Sequence, residues 1–271
     1  MAAMPSRPVA ADVSHLPLRG ACVIVTRPSE GAAPLLRRVR ALGGTPLRLP
    51  GIALRPAADA PALRQALRAA QTAALAVFIS PAAVRHAWRV LSTLRFSRST
   101  RVAAVGAGTA RALRRRGLTE VCVPQGAQDS TGLLADPALR GLRGAAVAVI
   151  GAPGGRDLLV PTLRRRGARV QRIDIYRRVA PRWTRRHLAA LELAPRPWLL
   201  LVSSAEALAH LATALPPGLV LALRRAECVV SSARLAGLAA QHGFTRVHVA
   251  ASALAADLLT AAAAALARHR L

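Results

Sequence analysis

The sequence comprises 271 residues, enough for one large domain or two of ordinary size. Its hydrophobic content of 53% argues against a disordered chain, and no apolar run approaches the roughly 18 residues that a membrane-spanning helix needs. The net charge of +27 comes from arginine, since the sequence contains no lysine. Aromatic residues make up only 3%, too few for the stacking surfaces of single-strand nucleic-acid binders. We therefore expect no nucleic-acid partner and no membrane partner, and interpret the arginines as solvated helix faces whose field favours an acidic ligand.

The N-terminal segment and the cysteines predict the cellular location. Residues 1–17 lack the apolar centre of a signal peptide, so we expect a flexible extension. Cys22, Cys122 and Cys228 are widely separated and odd in number, which excludes a CxxC metal pair and argues against a disulfide framework. The sequence therefore predicts a cytoplasmic protein.

The first half of the chain alternates short apolar runs with longer amphipathic ones. "ACVIVT" (21–26) is a predicted strand, and the following "GAAPLLRRVRALGG" has leucine and valine at helical spacing. "TPLRLP" then begins another extended segment. Farther along, "LAVFISPAAV" (75–84) and "VAAVGAGTARAL" (102–113) each predict a strand, a short loop and a helix. This order is typical of βα units.

The second half of the chain repeats the first. "AAVAVIG" (145–151), a glycine-rich turn, a helix and the strand "ARVQRIDIY" correspond to the first βα unit, and Gly167 matches Gly44. Ser203 in "LLLVSSAEAL" is matched with Ser80, and "CVVSSARLAGLAAQHGFTRVHVA" (228–250) with 102–124, at a nearly constant offset. This internal duplication predicts an α/β fold of two similar lobes, each a mainly parallel sheet flanked by helices.

The loops that lead from predicted strands into predicted helices are rich in serine, threonine and glycine. Because parallel strands present such loops at one edge of a sheet, we expect a ligand cleft between the lobes, lined by both copies. Two interpretations stay open for each loop: the residues cap a helix, or the helix N-terminus binds a carboxylate or phosphate. The loops are Thr26–Gly31, Ser80–Ala83, Gly106–Thr109, Gly151–Arg156, Ser203–Glu206 and Ser231–Arg234.

The sequence lacks the motifs of the commonest catalytic sites. "GAGTAR" (106–111) has Arg111 where a dinucleotide-binding pattern needs its third glycine. No phosphate-binding loop, serine nucleophile elbow or zinc-protease motif is present, and no two histidines have the spacing of metal ligands. We therefore predict no metal site and no conventional catalytic triad.

Several motifs, taken in order, resemble those of one known family. "VIVTRP", "FISPAAV", "VGAGTARAL", "DSTGLL", "LRRRGARV…IYRR" and "LLVSSAEAL" are similar to motifs of the uroporphyrinogen-III synthase family, in its bacterial branch. The likeness covers about Leu18 to Ala267. It implies two lobes that exchange strands and are joined by a two-stranded connector, with a cleft between them. On this sequence the boundaries become 18–52 plus 177–271 for lobe one and 53–176 for lobe two.

The resemblance also implies an activity. Members of the family convert the linear tetrapyrrole hydroxymethylbilane into uroporphyrinogen III, with loss of water and inversion of the last pyrrole ring, and use no metal or organic cofactor. Their substrate carries acetate and propionate groups on every pyrrole, which suits an arginine-rich site with many N–H donors. The resemblance therefore predicts a cofactor-independent lyase.

Tyr176 is the only tyrosine in the chain and ends what reads as a buried strand. The resemblance implies that its hydroxyl assists the loss of the substrate hydroxyl. The alternative is that it only packs at the strand end, with its hydroxyl directed to water. Because a phenol is a weak acid, we expect substitution of Tyr176 to slow the reaction without abolishing it.

The remaining predicted site residues are carried over from matching motifs. Arg156 lies in the glycine–arginine turn, where the guanidinium could reach a propionate. The full set of predicted substrate-binding residues is Arg27, Ser80, Gly106, Thr109, Ser130, Gly155, Arg156, Ser203, Ser204 and Ser232.

Two other functions stay open at this point. A non-catalytic bilobal protein could bind a tetrapyrrole or another polyanion without changing it. A nucleic-acid binder would show affinity that falls steeply with salt concentration. For the enzyme we expect a monomer that takes a small-molecule substrate and has transient contact with the preceding pathway enzyme.

Overall fold

The computed structural model describes residues 16–126, 129–154 and 158–269. It groups the chain into two compact units. The discontinuous unit contains the chain up to Ala53 and from Ala180 onward, and the continuous unit is Leu54–Val179. The lobe boundaries predicted above remain a prediction.

Strands and helices alternate through most of the described chain. The strands are β1 (Cys22–Val25), β2 (Thr45–Arg48), β3 (Ala53–Pro56), β4 (Leu75–Phe78), β5 (Arg101–Ala104), β6 (Ala146–Gly151), β7 (Arg169–Asp174), β8 (Tyr176–Val179), β9 (Trp198–Val202), β10 (Glu227–Val230) and β11 (Arg246–Val249). The helices are α1 (Ser29–Ala41), α2 (Ala60–Ala70), α3 (Pro81–Val90), α4 (Ala107–Arg114), α5 (Ser130–Ala135), α6 (Leu159–Arg165), α7 (Arg185–Glu192), α8 (Ala205–Ala214), α9 (Pro217–Arg224), α10 (Ala233–Gln241) and α11 (Ala255–His269). Among these helices, none is long and apolar enough to cross a bilayer.

The predicted α/β architecture is confirmed. The discontinuous unit has a parallel sheet of order β11-β10-β9-β1-β2, and the continuous unit has one of order β5-β4-β6-β7. The central strands β1, β4, β9 and β10 are buried along their whole length. Helices cover both faces of a parallel sheet, which is why these strands read as continuous apolar runs in the sequence.

The strand orders show the duplication in three dimensions. In sheet order, β10, β9, β1 and β2 correspond to β5, β4, β6 and β7. The counterpart of β11 is a single bridge between Ala103 and Cys122, beside β5. Each sheet contains strands from both copies of the duplication. In the discontinuous unit, β1 and β2 of the first copy join the sheet of the second copy, because β1 pairs with β9 and not with β4. The exchange of strands implied by the family resemblance is therefore present.

The predicted two-stranded connector is present as a separate sheet of β3 and β8. The expectation that Tyr176 ends a buried strand is wrong, because β7 ends at Asp174 and Tyr176 begins β8. β7 is an edge strand whose residues are exposed or half-buried except for the buried Ile173. At Ile175 the chain changes partner: its N–H donates to Gly151 O (2.8 Å), and its carbonyl accepts from Ala57 N (3.4 Å). Because only Ile175 separates β7 from β8, the sequence reads as one strand.

A buried carboxylate joins three elements of the discontinuous unit. Glu227, on β10, is 5% exposed. It accepts hydrogen bonds from His248 Nε2 on β11 (2.6 Å) and His269 Nδ1 at the end of α11 (3.1 Å), and it pairs with Arg246 (3.3 Å). Arg268 donates to the other nitrogen of His248 (3.0 Å). Burial acts to raise the pKa of Glu227, but the hydrogen bonds and charges of these partners outweigh it and lower the pKa below its usual range.

The stabilisation from Glu227 is expected to depend on pH. Because its pKa is lowered in the folded state, the contribution is complete above the ordinary glutamate pKa and is lost as the pH falls through the folded-state value. Glu227→Gln should lower the free energy of unfolding by about 1–3 kcal/mol at pH 7 and by less at pH 3.5, which lies below the ordinary glutamate pKa. Urea unfolding of both proteins at the two pH values measures this. An equal difference at both would contradict the assignment.

The cysteine thiols provide a second test of the fold. Burial raises the pKa of Cys22 to about 11 and that of Cys228 to about 12. Cys122 is only half-buried, and its pKa is raised by burial and by the charge of Asp136. Because the thiolate is the reactive form, a disulfide reagent at pH 8 should modify Cys122 first in the native protein and all three in denaturant. Peptide mapping that finds Cys22 or Cys228 modified first would contradict this packing.

Candidate functional site

The predicted loops of the continuous unit lie at the carboxyl edge of its parallel sheet. Ser80 follows β4, Gly106 follows β5, Ala152 follows β6 and Tyr176 follows β7. Since neighbouring parallel strands end at the same edge, these loops are adjacent although they are far apart in sequence. This edge is the usual place for a ligand in an open α/β sheet.

Tyr176 and Ser80 meet at this edge. The Tyr176 hydroxyl lies 3.1 Å from Ser80 Oγ, and the tyrosine is 5% exposed. Ser80 is the N-cap of α3, with extended backbone, and its Oγ accepts a hydrogen bond from Ala83 N (3.0 Å). Pro81 at the first helical position fixes the start of this helix. The hydroxyl of Tyr176 is therefore directed to a serine and not into solvent, contrary to the packing alternative.

The bonding of Ser80 leaves its own proton available. A serine hydroxyl has one proton and two acceptor positions, and Ala83 N–H uses one acceptor position. Ser80 can therefore donate to Tyr176, in which case the tyrosine proton is free to be given to another oxygen. The pair combines a proton donor with a group that stabilises the oxygen left behind.

His86, which was not predicted from the sequence as a site residue, contacts Tyr176 at this edge. Its ring stacks on that of Tyr176, with centroids 5.2 Å apart and planes at 22°, and it is 2% exposed. The available signal was its position six residues after the serine that caps the same helix, on the face that also carries Ala83 and Ala87.

Gly106 and Thr109 form the start of α4. Gly106 is the N-cap, and the N–H of Thr109 donates to the Gly106 carbonyl (2.9 Å). Thr109 is buried in the first turn, at 4% exposure. Its predicted contact with substrate remains a prediction.

The other loops of this unit have different capping residues. Ser130 is the first residue of α5, but Asp129 is the N-cap and accepts from Thr131 N (2.9 Å) and Gly132 N (3.0 Å). The glycine-rich loop after β6 is held by arginines: Arg172 donates to Ala152 O and Arg178 to Pro153 O, both at 3.0 Å. Gly155 and Arg156 lie outside the described residues.

Two serines of the discontinuous unit cap helices at the carboxyl edge of its sheet. Ser204 accepts from Ala207 N at the start of α8, and Ser232 from Leu235 N at the start of α10, each at 3.4 Å. Ser203 precedes the cap and is half-buried. The match of Ser80 with Ser203 is corrected by this geometry, because the serine that caps the equivalent helix is Ser204. The sequence match was off by one residue because Ser203 and Ser204 are adjacent serines, and either can be matched with Ser80.

Arg27 lies at the same edge and contacts the loop before α11. Its Nη2 donates to Ala253 O at 2.5 Å. The side chain is half-buried, and burial lowers the pKa of the guanidinium. The preceding Thr26 is buried and donates to Leu201 O (2.7 Å), which ties β1 to β9. Arg27 is therefore held in place by its own unit.

The capping interpretation is confirmed at Ser80, Ser204 and Ser232. It does not exclude anion binding, because a cap satisfies only part of the unpaired N–H groups of a helix's first turn. Substrate binding by the predicted loop residues remains a prediction. The contact that capping does not explain is the one between Ser80 and Tyr176.

Comparison with known proteins identifies relatives along most of the chain. The family model described as "Uroporphyrinogen-III synthase HemD" matches residues 33–260. The uroporphyrinogen-III synthase of Escherichia coli K12 is 31% identical over 234 residues, which is 85% of this chain and 95% of that protein. The enzyme of the same name from Salmonella typhimurium LT2 is 32% identical over 242 residues, with the same coverage of 85% and 95%.

Two solved structures share the fold. A mutant uroporphyrinogen III synthase from the extreme thermophile Thermus thermophilus superposes with a TM-score of 0.56 at 22% identity, covering 92% of this chain and 99% of that one. A uroporphyrinogen-III synthetase from Helicobacter pylori 26695 gives a TM-score of 0.56 at 14% identity, covering 94% of this chain and all of that one. The likeness of these structures concerns the fold.

Proposed function

Because the chain belongs to the uroporphyrinogen-III synthase family, we propose that it cyclises hydroxymethylbilane to uroporphyrinogen III, with loss of water and inversion of the last pyrrole ring. The protein is then a hydro-lyase of porphyrin biosynthesis. The observation that carries this function is the match to relatives of that name over 85% of the chain. The alternative of a non-catalytic binding protein has no comparable support.

The contact between Tyr176 and Ser80 supports a role for Tyr176 as the general acid. Tyr176 donates its proton to the hydroxyl of the hydroxymethyl group, the carbon–oxygen bond breaks, and water leaves. The lone pair of the adjoining pyrrole nitrogen supplies electrons to the carbon, which gives an azafulvenium cation that keeps its N–H proton. Ser80 donates a hydrogen bond to the phenolate oxygen, and that oxygen takes back the proton lost when the ring closes. Protons balance over the cycle.

The protein must also hold the flexible, polyanionic substrate in the conformation that gives the spiro intermediate. The proposed binding groups are the helix N-termini at the carboxyl edges and the arginines of the loops. Their support is the position of these groups at the starts of helices, where N–H donors and the helix dipole favour carboxylates. The proposed substrate-binding residues are Arg27, Ser80, Gly106, Thr109, Ser130, Gly155, Arg156, Ser203, Ser204 and Ser232.

The decisive experiment is a coupled assay. Hydroxymethylbilane is generated in place, the protein is added, and the products are oxidised and separated into uroporphyrin isomers I and III. Dominant isomer III is expected. Isomer I alone, the product of spontaneous closure, in the presence of folded protein would contradict the proposal and favour the binding-protein alternative.

We also propose a cellular location, an oligomeric state and lobe boundaries for the protein. It is cytoplasmic, for which the support is the three free cysteines, and it is monomeric with at most transient contact with the preceding pathway enzyme. Its lobes are 18–52 plus 177–271 and 53–176. Light scattering coupled to gel filtration tests the monomer, and limited proteolysis near residues 52 and 176 tests the boundaries.

A further inference from the structure

We propose that His86 is a positioning residue for Tyr176: its ring fixes the plane of the phenol, and the plane decides where the leaving hydroxyl of the substrate must lie. The proposal rests on the proposed function of Tyr176 as general acid. It is carried by the stacked rings, 5.2 Å apart at 22°, and by the hydrogen bond between Tyr176 and Ser80 at 3.1 Å.

The two contacts constrain different degrees of freedom. The hydrogen bond to Ser80 fixes the position of the phenol oxygen but allows the ring to turn about its own axis. Stacking on His86 opposes that rotation, because turning the phenol out of the stacked arrangement would drive its edge towards the imidazole. Since the proton of a phenol prefers the plane of its ring, a fixed plane leaves the hydroxyl two directions. In this proposal Ser80 takes one direction, and the other is left for the substrate.

One helix supplies both constraints. Ser80 is the N-cap of α3 and His86 lies six residues later, so their separation is fixed by the helix backbone. The phenol lies in an apolar cluster with Phe78, Ile173 and Ile175, which limits its other motions.

The duplication provides a matched control. His210 lies six residues after Ser204, the cap of α8, and is the counterpart of His86. Its Nδ1 donates to the carbonyl of Gly51 (2.7 Å), in the segment that follows β2 just as Tyr176 follows β7. His210 therefore holds the same part of the other unit but contacts no tyrosine. A purely structural role for His86 would make the two histidines behave alike.

The test compares His86→Leu, which removes the flat ring, with His86→Phe, which keeps it. In the coupled isomer assay, His86→Leu should lower kcat about 10-fold with little change in KM, and His86→Phe should stay within about 3-fold of the unsubstituted protein. In a Tyr176→Phe background, His86→Leu should have almost no further effect on kcat, since the group that it positions is gone. His210→Leu should lower stability while its effect on kcat is the same in both backgrounds.

A second measurement does not depend on activity. Because Tyr176 is the only tyrosine, labelling with ring-13C tyrosine gives the NMR signals of this residue alone. The ring signals should move in His86→Leu, return towards their original positions in His86→Phe and stay unchanged in His210→Leu. This readout remains usable if a variant is too unstable for kinetics.

The possible failures are distinguishable. Isomer I alone from the unsubstituted protein would overturn the proposed function, and the His86 proposal with it. If the unsubstituted protein produces isomer III but His86→Leu lowers kcat equally with and without the Tyr176 hydroxyl, only the positioning role is overturned. Unmoved tyrosine signals in His86→Leu would do the same.

Discussion

Tyr176→Phe is expected to lower kcat for isomer III by about 10- to 100-fold, at or below the lower end of what a positioned general acid contributes. The variant keeps the ring and its stacking on His86 but lacks the proton that Tyr176 gives to the leaving hydroxyl. Activity should persist, because the substrate loses its hydroxyl slowly by itself and the other binding groups still hold it. Initial rates of isomer III formation, corrected for spontaneous isomer I, measure the effect.

Serine variants separate catalysis from capping. Ser80→Ala removes both the cap of α3 and the partner of Tyr176, whereas Ser204→Ala removes the cap of α8 and a proposed substrate-binding hydroxyl, whose loss should raise KM and leave kcat unchanged. Each should cost about 1 kcal/mol of stability, but Ser80→Ala should also lower kcat, by less than Tyr176→Phe does. A Tyr176→Phe enzyme as fast as the unsubstituted one would remove Tyr176 from the mechanism and leave the binding groups to account for the rate.

Gly51→Ala is expected to lower the free energy of unfolding by about 3 kcal/mol, seen as a fall in Tm of several degrees. A Cβ at Gly51 would lie 2.6 Å from the Cβ, 2.8 Å from the Cα and 2.9 Å from the carbonyl oxygen of Ala207. Two of these are backbone atoms in the first turn of α8, so rotation of a side chain cannot relieve the clash. Either the helix or the segment that carries Gly51 must move.

The neighbours of Gly51 resist such movement. Its N–H donates to Thr26 O (2.8 Å), its carbonyl accepts from His210, and the indole of Trp183 donates to Pro50 O (2.9 Å). Gly237→Ala is the matched control, because it lies within α10 with no atom within 4 Å of an added Cβ; it should be neutral or stabilising by up to about 1 kcal/mol. Thermal unfolding of the two variants, followed by circular dichroism, makes the comparison. Equal Tm values for Gly51→Ala and Gly237→Ala would show that α8 moves at little cost and would contradict the prediction.

Much of the candidate site could be predicted from the sequence. Ser80, Ser204 and Ser232 were expected at helix starts because a serine between a strand and a helix is a common N-cap, and each caps a helix. Tyr176 was singled out as the only tyrosine and by its motif. The hydrogen bond between Tyr176 and Ser80 could not be predicted from local pattern, since 96 residues separate them and only the adjacency of β4, β6 and β7 brings their loops together.

The contact between His86 and Tyr176 could not be predicted from the local sequence pattern. In the sequence it is a helical histidine like His210, and both follow a capping serine by the same interval. What distinguishes them is the segment each one meets: the phenol of Tyr176 in one unit and the backbone of Gly51 in the other. The contact of each histidine depends on the segment that lies beside its helix, which follows β7 for His86 and β2 for His210. These segments are distant in sequence from the histidines, so local pattern does not predict the contacts.

The sequence by itself determined the βα units, their duplication and the chemistry available at the ends of the strands. Strand and helix periods, glycines at helix ends and capping serines are local properties, and each is encoded within a few residues. Local pattern did not decide whether β1 and β2 pair with β9 or with β4; the family resemblance implied an exchange of strands, and only the tertiary structure shows which strands pair. The two copies carry nearly the same apolar pattern, so either pairing satisfies the alternation and burial of the strands. The choice is made by contacts between residues far apart in sequence, and it places Tyr176 beside Ser80.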